Sequence, residues 1–85
     1  MGEFPLSLAL PGREITLTVI HGGRGLRARL NSMGLNEGVQ LKILHSHGGG
    51  PCVVQAGGTR LVLGHGMAQK ILVKESQPKI FEILA

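Results

Sequence analysis

The segment RLNSMGLNEG, residues 29–38, most constrains the fold because the hydrophobic period changes within it. On its amino-terminal side, Leu26, Leu30 and Met33 recur at the i, i+4, i+7 spacing of one helical face. Gly34 follows where a helix that ends in a left-handed residue needs glycine. The residues after the segment alternate apolar and polar, as in a half-buried strand. A short helix that stops abruptly and leads directly into a strand is therefore predicted.

The same patterns predict the other elements of the chain. Clean alternation indicates a strand before the helix, and two short apolar runs separated only by Gly57 and Gly58 indicate a hairpin with a primed two-residue turn. A glycine-rich stretch before the last strand is long enough only for a single helical turn. The predicted elements are a short edge segment at 6–10, strands at 14–20, about 39–45, 52–56, 59–63 and 71–74, a helix at about 24–33, and a helical turn within 64–69.

Five short strands with one helix between the first two long ones predict a mostly β fold, a small SH3-like β-barrel, since closure removes exposed edges from so short a sheet. We expect one barrel domain over residues 1–74 and a carboxyl-terminal tail over residues 75–85. The tail holds Pro78 and then four large apolar residues within 80–84. These residues could pack on the barrel or form a patch that a homodimer would bury.

Composition narrows the class of protein but does not select a function. The chain has 85 residues, 42% of them apolar and 16% charged, which is typical of a single packed domain. It has neither an apolar run of membrane-spanning length nor a basic leader, so we expect a soluble cytoplasmic protein without membrane insertion. The net charge of +4 suits a nucleic acid, an acidic membrane surface or an acidic protein face equally.

The order of these elements, together with particular residues, resembles the FeoA family of small cytoplasmic proteins that accompany ferrous-iron transport. The resemblance covers about residues 6–74 and lies in LSLALPGREITLTVI, RARLNSMGLNEGVQLKIL and TRLVLGHGMAQKILVKE. It implies an SH3-like barrel that acts on the membrane transporter FeoB, through the cytoplasmic G-protein portion of that transporter. It does not imply catalysis, and we expect that the protein is not an enzyme.

A partner surface is predicted at the end of the helix and in the turn that follows it. Side chains at these positions can project where a partner meets both backbone and side chains. Two alternatives stay open: Leu35 could tuck beneath the turn against the helix, and Ser32 could simply be solvated. The candidate partner-binding residues are Arg29, Ser32, Leu35, Asn36 and Glu37.

A metal site is conceivable in the loop HSHGGGPC, because imidazole and thiolate both bind divalent transition metals such as Fe, Zn or Ni. Its candidate ligands are His45, His47 and Cys52. The intervening glycines would not preorganise a third ligand, so exposed histidines and a small buried cysteine are the simpler interpretation. We expect no required cofactor.

Two other function classes find little support in the residues. The chain has five glutamates and no aspartate, and the glutamates are scattered, which leaves no paired carboxylates for acid and base catalysis. Nucleic-acid binding is the alternative function, since small barrels bind RNA or DNA and Arg24, Arg27 and Arg29 cluster near the helix. Phe4 and Phe81 are the only aromatic residues, so a base-stacking platform is missing and the sequence argues against this alternative.

Overall fold

A computed structural model describes residues 2–46 and 49–76 of the chain. Within these residues the fold is mostly β, with one short helix between the first two long strands, as predicted. No helix in this part of the chain is long and apolar enough to cross a membrane. The elements are β1 (Phe4–Pro5), a 3₁₀ turn (Leu6–Leu8), β2 (Glu14–Ile20), α1 (Arg24–Ser32), β3 (Gln40–Ser46), β4 (Cys52–Ala56), β5 (Thr59–Leu63), α2 (His65–Ala68) and β6 (Ile71–Glu75).

The described strands form one antiparallel sheet of six strands in the order β1-β6-β2-β3-β4-β5. Register shifts interrupt the ladder between Leu17 and Val19 in β2 and between Ile43 and His45 in β3. Irregularities of this kind bend a strand and increase its twist, which suits a barrel-like sheet. The order is linear, so β1 and β5 are edges and the described sheet is not closed.

One face of this sheet builds the core. Alternate residues of the long strands point inward, as Ile15 and Leu17 do in β2, and both are fully buried. Helix α1 covers the core with Leu30, while Leu26 and Met33 pack against it partly buried. No polar or charged residue of the described chain is buried. The core consists of Leu6, Ala9, Ile15, Leu17, Ile20, Leu30, Leu35, Leu41, Ile43, Cys52, Val54, Leu63, Ala68, Ile71 and Val73.

Elements near both ends of the described chain differ from their predicted form or bounds. Residues 6–10 do not form an extended edge segment, because Leu6–Leu8 is a 3₁₀ turn and the Ala9 amide donates to the Leu6 carbonyl at 3.0 Å. The i, i+3 spacing of this turn buries Leu6 and Ala9 together, whereas the sequence shows a misleading period of two. The last strand continues to Glu75, one residue past its predicted end at 74. Most of the predicted tail, residues 77–85, lies outside the described residues.

The junction after α1 is closed by main-chain hydrogen bonds. The Leu35 amide donates to the Leu30 carbonyl at 2.9 Å and the Gly34 amide donates to the Asn31 carbonyl at 3.0 Å. This pair of bonds is the Schellman motif, with Gly34 in the left-handed region at φ +92°. The Gly38 amide then donates to the Leu17 carbonyl at 2.7 Å, which ties the turn to β2. The turn is therefore held at both ends by rigid elements.

We expect Gly34→Ala to lower the free energy of unfolding by about 1–2 kcal/mol, because a Cβ disfavours the left-handed conformation at this position. Gly25→Ala in α1 is the matched control, since an added Cβ meets no atom within 4 Å at either position. The control should be neutral or stabilise by about 0.5–1 kcal/mol. Urea denaturation of both variants measures the difference. Equal destabilisation by the two substitutions would contradict the assigned role of Gly34.

Candidate partner-binding surface

A shallow cleft lies between α1 and the turn that leads to β3. It has a volume of about 180 Å³ and we call it the α1–β3 cleft. Its lining comes from the end of β2, the outer side of α1 and the turn, so three elements contribute to it. The lining residues are Ile20, Arg27, Asn31, Asn36 and Glu37. Four of these five carry polar side chains, so the cleft suits polar rather than apolar contacts.

The predicted partner-binding residues divide into three groups. Asn36 and Glu37 are exposed and line the α1–β3 cleft. Arg29 and Ser32 are exposed on α1 outside the cleft lining, and the Ser32 hydroxyl donates to the Arg29 carbonyl at 2.7 Å. Leu35 is 0% exposed and belongs to the core, so the alternative in which it tucks beneath the turn is the one observed. Its side chain therefore cannot form part of the surface in this conformation.

Besides Ile20 at the end of β2, Arg27 and Asn31 are the cleft residues that were not predicted. They lie one helical turn apart on α1, beside the apolar stripe formed by Leu26, Leu30 and Met33. Their i, i+4 spacing was available in the sequence. Which part of the polar helix surface faces the turn depends on how α1 sits on the core, and the sequence does not contain that angle.

The charge of the cleft is carried by one weak ion pair. An Arg27 guanidinium nitrogen lies 3.9 Å from Glu37 Oε2, and both side chains are about half exposed. Such a pair contributes little to stability because water screens it and two flexible side chains must be ordered. Arg24 and Arg29 add positive charge to the exposed surface of α1. The Glu37 carboxylate and the Arg27 guanidinium can therefore leave each other and pair with groups of a partner at a low cost in free energy.

The predicted metal ligands are not brought together by the described residues. In an uninterrupted ladder that continued the Ile43–Val54 pair, His45 would lie opposite Cys52. The register shift instead places His45 opposite Val53 and Ser46 opposite Cys52. Because a slip of one residue turns a side chain to the other face, His45 is exposed while Cys52 faces the core.

The other two predicted metal ligands are His47 and Cys52. His47 lies outside the described residues, and no three His, Cys, Asp or Glu side chains within 2–46 and 49–76 could hold a metal ion together. Burial raises the pKa of the Cys52 thiol, and a hydrogen bond with the Ser46 side chain opposes that shift. A buried thiol held in its neutral form is a poor ligand and a poor nucleophile.

The described residues give the nucleic-acid alternative no surface on which bases could stack. Phe4 in β1 is partly buried and packs against the core, so its ring is not a platform for bases. Phe81 lies outside the described residues. The arginines of α1 are exposed and could contact phosphate, but arginines alone supply only nonspecific affinity.

Comparisons with known proteins agree on one family. The model of the FeoA domain matches residues 4–75. A Methanocaldococcus jannaschii protein with the provisional name Fe(2+) transport protein A is 35% identical over 74 residues, which cover 87% of this chain and 89% of that protein. A crystal structure of an iron uptake regulatory protein, FeoA, has a TM-score of 0.82 and 36% identity over 88% of this chain and 100% of that chain. A manganese-dependent transcriptional repressor shares the fold, with a TM-score of 0.79 and 21% identity over 87% of this chain and 42% of its own.

We expect the free energy of unfolding to fall as the pH rises above about 8.5, the ordinary pKa of a thiol. Burial in the folded state raises the Cys52 pKa, so the folded chain keeps a thiol proton that the unfolded chain loses. The contribution of this difference to the free energy of unfolding is fully present below the ordinary thiol pKa and is lost as the pH rises above it. Cys52→Ala lacks this proton. Urea denaturation of both proteins at neutral and alkaline pH should give a steeper loss for the wild type, and parallel losses would show that Cys52 is not the titrating group.

Proposed function

This chain belongs to the FeoA family, whose members are small accessory proteins of ferrous-iron transport, and on that premise we propose that it acts by contact with the cytoplasmic G-protein portion of a FeoB-type transporter. In this proposal the protein is noncatalytic and works in the cytoplasm. The α1–β3 cleft is the contact surface. Residues Arg27, Asn31, Asn36 and Glu37 supply the polar contacts, and Arg29 is exposed on α1 outside the cleft lining.

The observation that carries the proposal is that four polar side chains line one cleft, two from α1 and two from the turn after it. The Schellman motif at Gly34 and the bond from Gly38 to Leu17 fix both ends of the segment that holds Asn36 and Glu37. Contact residues that are already ordered lose less entropy when a partner binds. A small domain can recognise a partner through polar contacts of this kind.

The chemistry of the cleft favours a partner segment with both charge and main-chain contacts. A carboxylate of the partner can replace Glu37 beside Arg27, while a basic group or amide of the partner meets Glu37. The carboxamides of Asn31 and Asn36 each offer donors and an acceptor, which match a peptide group. Electrostatic complementarity of this type sets specificity and association rate, so binding should weaken as salt is added.

Contact can regulate the transporter only if its strength depends on the nucleotide state. A ligand shifts an equilibrium between two states by its difference in affinity for them. The accessory protein must therefore bind the G-protein portion more tightly in one nucleotide state than in another. Binding measured in each state separates a regulatory contact from one that only assembles the transporter.

We expect the full chain to bind the isolated G-protein portion of FeoB, and Glu37→Lys to weaken that binding by about tenfold or more, which is about 1.4 kcal/mol. The substitution reverses the acidic side of the cleft next to Arg27. Calorimetric titration without nucleotide, with GDP and with a GTP analogue measures the effect.

Glu3→Lys is the control, because Glu3 is exposed, lies outside the cleft and changes the net charge by the same amount. It should bind within about twofold of the wild type, an effect well under 1 kcal/mol. Equal loss of affinity in the two variants would show that binding depends on the net charge of the chain and not on the cleft. No association of the wild-type chain in any nucleotide state would contradict the proposed partner.

A further inference from the structure

The two edges of the described sheet are protected unequally. Edge β1 has two residues, Phe4 and Pro5, and the proline has no amide to donate. Edge β5, residues Thr59–Leu63, has five residues without proline, acidic residue or register shift. Exposed edges of this length are templates for another strand unless they are blocked. Of the two edges, β5 is the one that can accept a further strand.

The register of the β4–β5 hairpin shows which groups β5 presents outward. Ala56 and Thr59 flank the two-residue turn at Gly57 and Gly58 and form the pair closed by the turn hydrogen bond. Because bonded and non-bonded pairs alternate, Leu61 directs its amide and carbonyl toward β4, and the next residue on either side directs them away. Arg60 and Val62 therefore present outward amides and carbonyls.

Nothing in the described part of the chain covers these groups. No main-chain hydrogen bond from another described element reaches Arg60 or Val62. Val62 is 66% exposed, which is unusual for a large apolar residue in a strand. Arg60 forms no ion pair with another described residue. An apolar side chain and a long aliphatic stem thus lie together on the outer face beside open backbone groups.

We propose that β5 pairs antiparallel with β5 of a second copy of this chain, about a two-fold axis at Leu61. In this register Arg60 of one copy lies opposite Val62 of the other, and Leu61 lies opposite its own counterpart. Each Arg60–Val62 pair joins two residues with outward groups, so it can exchange two main-chain hydrogen bonds. The interface is self-complementary, as a two-fold interface must be.

The side chains support this register. Arg60 faces Val62 rather than another arginine, so its methylene groups can cover the exposed valine while the guanidinium stays in water. The like charges of the two Arg60 residues are diagonal neighbours, which is less costly than a direct opposition. The pairing also joins the two sheets through β5, so the edge exposed in each copy becomes internal.

The interface is small, and its size sets the expected strength. A single pair of five-residue edges buries less than the roughly 1,000 Å² typical of a stable specific interface. Association should therefore be weak and concentration-dependent, with dissociation constants above the micromolar range. A dimer of this kind forms where the local concentration is high, as when two copies bind neighbouring transporter molecules.

Sedimentation equilibrium of the full chain, from micromolar to millimolar concentration, tests the proposal. The mass of the wild type should rise from one copy toward two, and Val62→Lys should weaken association by about tenfold or more, since it places lysine beside Arg60 of the second copy. Leu8→Lys is the matched control, because Leu8 is 67% exposed and lies outside β5. It should associate like the wild type.

A second measurement does not depend on a substitution. Amide hydrogen exchange at Arg60 and Val62 should slow as the wild-type concentration rises, whereas the amide of Leu61 is already bonded to β4 and should change less. A chain that stays a monomer at every concentration would overturn the proposal, and so would equal loss of association in the two lysine variants. Removal of residues 77–85 should leave the dimer intact; a dimer abolished by that truncation and not by Val62→Lys would be driven by the tail.

Discussion

The main-chain bond from the Leu35 amide to the Leu30 carbonyl closes α1, and the geometry of the surrounding molecule depends on that closure. It requires a left-handed residue at Gly34, and it returns the chain toward the core so that Leu35 is buried beside Leu30. The burial of Leu35 holds the turn against the core, and the turn leads into β3, which pairs with β2. Asn36 and Glu37 remain outside because Leu35 takes the inward position.

The cleft and the β5 edge illustrate two different sources of binding capacity in a small domain. At the cleft, polar side chains are exposed because a rigid turn holds them there. At β5, main-chain groups are exposed because the described sheet ends. The first surface can be specific through charge and amide geometry, while the second is general and depends on register. They lie on different elements, so one protein can use both surfaces together.

Much of the fold could be predicted from periodicity and turn residues. The hairpin bounds were predicted correctly because Gly57, with φ +61°, and Gly58 mark a two-residue turn between alternating strands. The edge segment at 6–10 was wrong because a 3₁₀ turn with buried Leu6 and Ala9 can carry the same leucines as a strand. The position of His45 relative to Cys52 depends on a register shift that no local sequence pattern predicts.

The sequence by itself determined the class of fold, the position of α1, the left-handed stop at Gly34 and the family, because these follow from local periodicity and from a backbone conformation that strongly favours glycine. Tertiary structure decided that Arg27 and Asn31 face the turn, and that β5 is an edge of the described sheet. These outcomes depend on the angle at which α1 packs and on pairing between distant strands. Such long-range geometry is the sum of many weak contacts, and no short segment of sequence contains it.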